Sequence, residues 1–575
     1  MHRLPILLFI SFLSLNCSHL LSLKQPEHSY RRADPVLSNP ENADAYPELT
    51  ERNRLIGSLS SERTCYDVTY YDLNLAIDLD NKTINGYNRV SGIAVNEFST
   101  LQIDFRNEMN IDSILFRGIR LIYTREKDAV FIEFPSLEEG TRFSFTVYYH
   151  GTPRVAPRPP WDDGFVWETD KAGRPFIGVT SEGLGGSHWW PCKDHIADEP
   201  DSMAINITIP EDLICVANGK LRERIKMNDG KTEFRWFVNN PINDYNVSIN
   251  IGNYVSIHDT IQSLGEIRNA TYYVLDYNED VAREYFKEAR SVIRVLEHYF
   301  GPYQWWNDGY KLVQTPYLGM EHQSAVAYGN DFRIYDKSKS RSLYGFIDYI
   351  TLHETAHEWW GNSITACDPA DVWIHEGFGT YSEVLYVEYL FGYEMSIDYL
   401  IQKRKYIGNK KVIVGPRNQN YWGFYDAYNK GAWIIHTLRN VIDDDELFLN
   451  TLKGFAIDNA KSIVCTEDVR DYFTEKTGID LMSFFNQYLY NRTVPTLEYA
   501  QENGKFYCRW TDVIKGFDMP VNLLINKVDT RIMPTTETST LEIPKYATVE
   551  VKDWEYLIIK KENKNLLPSG ITSSE

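Results

Sequence analysis

Cysteine is scarce and widely spaced in this chain of 575 residues: Cys17, Cys65, Cys192, Cys215, Cys367, Cys465 and Cys508, with no CxxC pair. That density excludes a disulfide scaffold, and most of the seven are expected to be buried thiols. Long apolar runs are missing too, apart from the twelve residues Leu4 to Leu15 that follow His2 and Arg3. Such a run is too short to cross a bilayer and the right size for the core of a signal segment, so residues 1–17 are read as a signal and the protein as exported: periplasmic, lipid-anchored or extracellular. Cys17 follows in a loose lipobox, so membrane attachment is expected only through a lipid on Cys17, with simple cleavage as the alternative. Positive charge is in deficit, 59 Lys and Arg against 80 Asp and Glu, for a formal net charge of -21. Nucleic acid is thereby excluded as a partner. No internal repeat or low-complexity tract is present, and 43% apolar with 24% charged residues excludes a disordered, collagenous or coiled-coil chain.

What remains is a globular chain long enough for several cores. Residues 18–60 are polar, carry Pro26, Pro35, Pro40 and Pro47 without apolar periodicity, and read as a linker. Alternation then begins at Tyr71, Leu73, Leu75 and Ile77, and it returns at Phe143, Phe145 and Val147 and again over Ala204–Ile209, predicting an all-β domain over 61–258. From there the period lengthens. Tyr285, Ala289, Val292, Leu296 and Tyr299 predict one helix from Asn278 as cap to Gly301-Pro302. Helical segments continue to about Tyr490, giving a mostly helical domain over 259–494, and short alternating segments over 495–575 predict a small β domain. The fold class is multidomain α+β. Several Asn-x-Ser/Thr triplets are present, among them those at Asn81, Asn206, Asn246, Asn269 and Asn491, which would matter only in a secretory eukaryote.

Within the helical segment stands His353-Glu354-Thr355-Ala356-His357. Two histidines four apart share a helix face and can converge on one ion. A catalytic zinc site needs a third protein ligand and an open position, and Glu376, eighteen residues beyond His357 at the start of another helical pattern, is placed to supply it. Glu354 lies about 100° round the helix from His353, where it is free to act as a general base toward a water whose pKa zinc lowers. Glu383, two turns after Glu376 on the same face, is placed to orient a ligand imidazole.

These residues resemble the gluzincin zinc aminopeptidases of the aminopeptidase N type. The zinc signature is matched by His353, His357 and Glu376. The family's downstream Tyr-x-Lys-Gly is matched by Tyr428-Asn429-Lys430-Gly431, and its Gly-x-Met-Glu-Asn segment resembles Leu318-Gly319-Met320-Glu321-His322. Trp190-Pro191-Cys192-Lys193-Asp194 is similar to a further family stretch, and Glu182 falls where the family places an amine-binding residue. The likeness covers residues 65 to 495. It departs at Leu318, His322 and His375, and the two histidines are read as packing. The resemblance implies a thermolysin-like catalytic domain holding one Zn2+ per chain, with Glu354 as base and Tyr428 as oxyanion donor. It also implies that Gly319, Met320, Glu321 and Glu182 bind a peptide by its free N-terminal amine. Two other readings stay open: an endopeptidase of thermolysin-like mechanism, which uses the same triad, and a peptide-binding module without catalysis, against which an intact Glu354 and Tyr428 stand. Epoxide hydrolysis of a lipid is a side activity of the family that nothing here specifically favours.

Overall fold

Alternation of apolar residues builds the first sheets as expected. Tyr71, Leu73, Leu75 and Ile77 all face inward from the strand Tyr66–Asp78, because successive side chains leave a strand on opposite faces. This strand runs antiparallel to Thr83–Ala94 and parallel to Ser202–Pro210, at the middle of an eight-stranded sheet. The hairpin between the first two closes on Asp78, whose carboxylate accepts from the backbone N–H groups of Asp80 and Asn81. Edge-to-face rings of Phe98, Phe134 and Phe143 fill the space between this sheet and a three-stranded one. The computed structural model describes residues 49–332, 347–422 and 426–568. The expected signal segment 1–17, Cys17 included, lies outside them.

A four-stranded sheet follows, with Pro175–Thr180 paired antiparallel to Gly164–Thr169. Its strand ends carry residues toward the helical part of the chain. Beyond Gly252 a second architecture begins, a five-stranded sheet in the order Tyr254–Ser263, Glu266–Leu275, Tyr310–Gln314, Val326–Tyr328, Gly319–Met320. The last of these is a two-residue strand at the sheet edge. Helices Tyr349–Ala356, Trp373–Phe391 and Asn429–Ile442 come next in the chain, and the strands after Pro495 form a four-stranded and a three-stranded sheet. One hydrophobic core runs through the helices into these C-terminal strands, and a second fills the N-terminal β part. Arg404 fastens the C-terminal part by donating to the carbonyls of Tyr556 and Ile558.

Two expectations need correction, and the structure settles two further points. The single helix over 279–300 is two, Glu279–Tyr285 and Glu288–Phe300, because the backbone relaxes at Phe286 (ψ 0°), and the Asn278 side chain donates to Gln314 instead of capping. The end of the expected linker is structured: Thr50 and Asn53 form a capping box that starts a helix Glu51–Gly57. That helix is bound to the body through Arg52 and Asp128 and through Asn53 and Asn420. Cys367 and Cys465 are joined in a disulfide with 5.1 Å between Cα atoms, while Cys65, Cys192, Cys215 and Cys508 are free and buried, in keeping with the expectation that most are buried thiols. Asn246 is fully buried and donates to Asn362, so it cannot carry a glycan.

Candidate active site

The helix Tyr349–Ala356 starts where Asp348 accepts from the N–H of Ile350, and it presents His353 and His357 one turn apart. Their Nε2 atoms lie 3.1 Å from each other, and Glu376 Oε2 lies 3.4 Å from the first and 3.5 Å from the second. An ion with bonds of about 2.0 to 2.1 Å in tetrahedral geometry sets its donors about 3.3 Å apart, which matches this triangle. The outer nitrogens are committed elsewhere. His353 Nδ1 donates to Glu383 Oε1 at 2.9 Å and His357 Nδ1 to the Trp360 carbonyl at 2.8 Å, leaving both Nε2 lone pairs turned inward. Glu376 Oε2 is buried and makes no hydrogen bond. Two lone pairs and an orphaned carboxylate oxygen at these separations repel one another unless a cation lies among them, so the donor set fits a zinc ion.

Supporting groups set the charge of each member. Burial alone would lower the His353 imidazole, yet Glu376 and Glu383 reverse this and hold it well above the usual histidine range. Burial would raise Glu376, but His357, His353 and Tyr428 bring its carboxyl below the ordinary value. Glu383 is held at about 2 against its burial by Lys403 and His353, with Lys403 Nζ at 2.7 Å and the Tyr399 hydroxyl also donating to it. The Tyr428 ring stacks 5.9 Å from that of His353, and its hydroxyl hydrogen bonds the Glu376 carboxylate. Two glycines explain this closeness. A Cβ on Gly431 would meet Gly377 Cα at 2.8 Å, so the helices Trp373–Phe391 and Asn429–Ile442 touch backbone to backbone beside Glu376.

Acids gather on one side of this triangle. Glu321, Glu354 and His357 bring ligand atoms within 4.8 Å of one another, and so do Glu182, Glu321 and Glu376. Glu354 packs against the backbone at Gly319, where a Cβ would stand 2.6 Å from its Oε1. Burial, then Glu321, Glu376 and Asp163, push the Glu182 carboxyl well above the ordinary range. Glu182 Oε1 and Glu321 Oε1 are both buried without a hydrogen-bond partner. Met320 is buried beside them in sequence, in the edge strand Gly319–Met320.

The two histidines outside the signature separate into distinct cases. His375 Nε2 accepts from the Ala366 N–H, which requires a neutral ring, and burial holds its pKa at about 3. His322 is fully buried with neither nitrogen hydrogen bonded. Sequence reasoning missed Asn362, whose amide donates to the Glu321 carbonyl, Asn246, which accepts from Gln323 N–H, and Asp163. No spacing marked them, since each acts on backbone supplied by a remote segment.

Residues 285–488 match the Peptidase family M1 domain, and this match supports the resemblance to the gluzincin aminopeptidases. Leucyl aminopeptidase of Saccharolobus solfataricus is 24% identical over 309 residues, 51% of this chain and 38% of that protein. Aminopeptidase B of Rattus norvegicus is 22% identical over 347 residues, 56% of this chain and 50% of its own. Endoplasmic reticulum aminopeptidase 1 of Mus musculus is 21% identical over 544 residues, covering 83% and 57%. The chain thus spans between about a third and somewhat over half of these relatives. An M1 zinc metallopeptidase of Deinococcus radiodurans, solved with a Tyr-Ser-Ala substrate, superposes with a TM-score of 0.62 at 20% identity, covering 79% of this chain and 98% of that one. The multidomain α+β fold agrees with the expectation.

Proposed function

We propose that this protein is a zinc-dependent aminopeptidase that removes single residues from the free N-terminus of peptides. The observation that carries the reading is the pair of buried, unpartnered oxygens of Glu182 and Glu321 beside the His353, His357 and Glu376 triangle. Anionic oxygens left dry and unpaired are costly, and a substrate ammonium supplies the missing donors as charge-assisted hydrogen bonds. An ammonium held there sets the reach to the metal at one residue, so the first peptide bond is the one presented.

His353, His357 and Glu376 would hold the zinc, which when bound lowers the pKa of water toward about 7 and polarises a carbonyl. Glu354 takes the proton of the attacking water and passes it to the departing amine. The Tyr428 hydroxyl donates to the substrate carbonyl oxygen as negative charge grows on it. Glu383 keeps His353 in the tautomer whose Nε2 is free to bind the metal. The edge strand Gly319–Met320 offers its unpaired side to an extended peptide backbone.

Export is part of the same reading. It is supported by the run Leu4 to Leu15 and by the Cys367–Cys465 disulfide, a bond that persists in oxidising compartments. Loss of fatty-acid label in Cys17→Ser would establish the lipid anchor, and an unlabelled, cleaved protein would replace it with simple secretion. The enzymatic reading is tested with aminoacyl amides bearing free and acetylated amines, with and without a chelator. Hydrolysis confined to free amines and abolished by the chelator is expected. Equal cleavage of both would put an endopeptidase in its place.

A further inference from the structure

Glu182 stands on a short turn, and the turn has its own support. The antiparallel register pairs Thr180 with Gly164, so the residues just beyond that pair, Ser181 and Asp163, leave the sheet side by side. The turn Ser181 to Gly185 closes on itself, Gly185 N–H donating to the Ser181 carbonyl at 2.7 Å. An inner amide points the other way. Leu184 N–H donates to Asp163 Oδ2 at 2.6 Å. Asp163 is itself buried and fixed, its carbonyl accepting from Arg154 Nε at 2.8 Å. The far end of the loop is pinned where Ser187 N–H donates to Asp194 Oδ2 at 3.0 Å. Gly185, at φ 76°, leaves room for the same carboxylate, which a Cβ would meet at 1.9 Å.

We propose that Asp163 is a positioning residue for amine recognition: by gripping the Leu184 amide it sets where the Glu182 carboxylate meets Glu321. The proposal rests on the aminopeptidase reading of the site. The Leu184 amide held by a buried carboxylate and the Gly185 amide held by the Ser181 carbonyl fix the backbone just after Glu182, so the side chain has little freedom except its own rotamers. Without the Asp163 grip the Leu184 amide needs another acceptor, and the loop samples positions in which Glu182 no longer faces Glu321. The loss falls on holding the ammonium, which is made in ground and transition states alike, so it enters KM and not kcat.

The test uses Asp163→Asn and Asp163→Glu in the full chain, with leucine amide and its N-acetyl form as substrates. Hydrogen exchange is followed at Leu184. Both variants are expected to raise KM for the free amine about tenfold, with kcat within about threefold and zinc content unchanged. Both should speed exchange at that amide. In a Glu182→Gln background Asp163→Asn should add less than about twofold, because the group it positions has lost its charge. An unchanged KM, a wild-type KM in Asp163→Glu alone, or a full effect persisting in Glu182→Gln would overturn the proposal, the second by reducing Asp163 to its charge. If the unmodified protein treats free and acetylated substrates alike, the aminopeptidase reading falls, and the exchange data still decide whether Asp163 holds the turn. Should a variant fail to fold, strong protection of the Leu184 amide in the unmodified chain supports the grip and fast exchange there removes it.

Discussion

The helical side and the β side of the candidate site are built by different means. On the helical side each metal-binding imidazole is oriented by a dedicated partner, Glu383 for His353 and the Trp360 carbonyl for His357, and regular helices set the spacing. On the β side Glu182 comes from a turn whose backbone is captured by Asp163 and Asp194, and its Oε1 is left unpartnered. In the proposed reading the second half would be completed by the substrate's own charge, so reactivity would depend on the helices and the choice of bond on the Glu182 turn and the edge strand Gly319–Met320.

Breaking the helical half should have the larger consequences. Glu354→Gln is expected to retain zinc and fold while kcat drops on the order of ten-thousandfold, because an amide accepts no proton; elemental analysis beside steady-state rates checks both parts. Tyr428→Phe should lower kcat by about 100- to 1000-fold with KM little changed, as for loss of one oxyanion donor. A near-normal kcat would leave Tyr428 only its contact with Glu376. On the β side, Glu321→Gln and Glu182→Gln should each lower kcat/KM for free amines by about 30-fold, for a contact worth about 2 kcal/mol, and narrow the gap to acetylated substrates. Glu383→Gln should weaken zinc binding about tenfold in a chelator competition, since Lys403 and His353 lose a shared anion.

The smallest effect concerns the seam between the halves. Glu199 accepts from the Thr365 hydroxyl at 2.8 Å, and burial pushes its carboxyl up to about 7. Its folded pKa lies above the unfolded one, so the folded state binds the extra proton and stability declines as pH rises between the two values. Glu199→Gln should match the unmodified protein least at pH 8, where it should be the more stable, and the advantage should shrink toward pH 5 in urea titrations. A constant difference across that range would remove Glu199 from the pH response.

How much could be read in advance follows the same division. The approach of His353 to His357 was legible because helix geometry turns a fixed interval into a contact, whereas Tyr428 and Glu321 entered only through the family resemblance of four motifs in order. The strands around Leu73, Val147 and Ile207 were legible from alternation alone. Asp163 was not, since its role depends on the register of Thr180 with Gly164, and pairing register is not written in either strand. The break at Phe286 escaped because the apolar period continues through it, each half-helix burying the same face. Cys367 and Cys465 are 98 residues apart and meet only because the short strands Ile364–Ala366 and Ser462–Val464 pair.

That bond divides the candidate site topologically. The covalent loop it closes contains Glu376, Glu383, Lys403 and Tyr428, and it leaves His353 and His357 outside. A loop of this length limits the unfolded chain by about 4 to 5 kcal/mol in the chain-entropy picture. The carboxylate ligand, the tyrosine and the groups that orient the first histidine are therefore tethered as one set even when the chain opens.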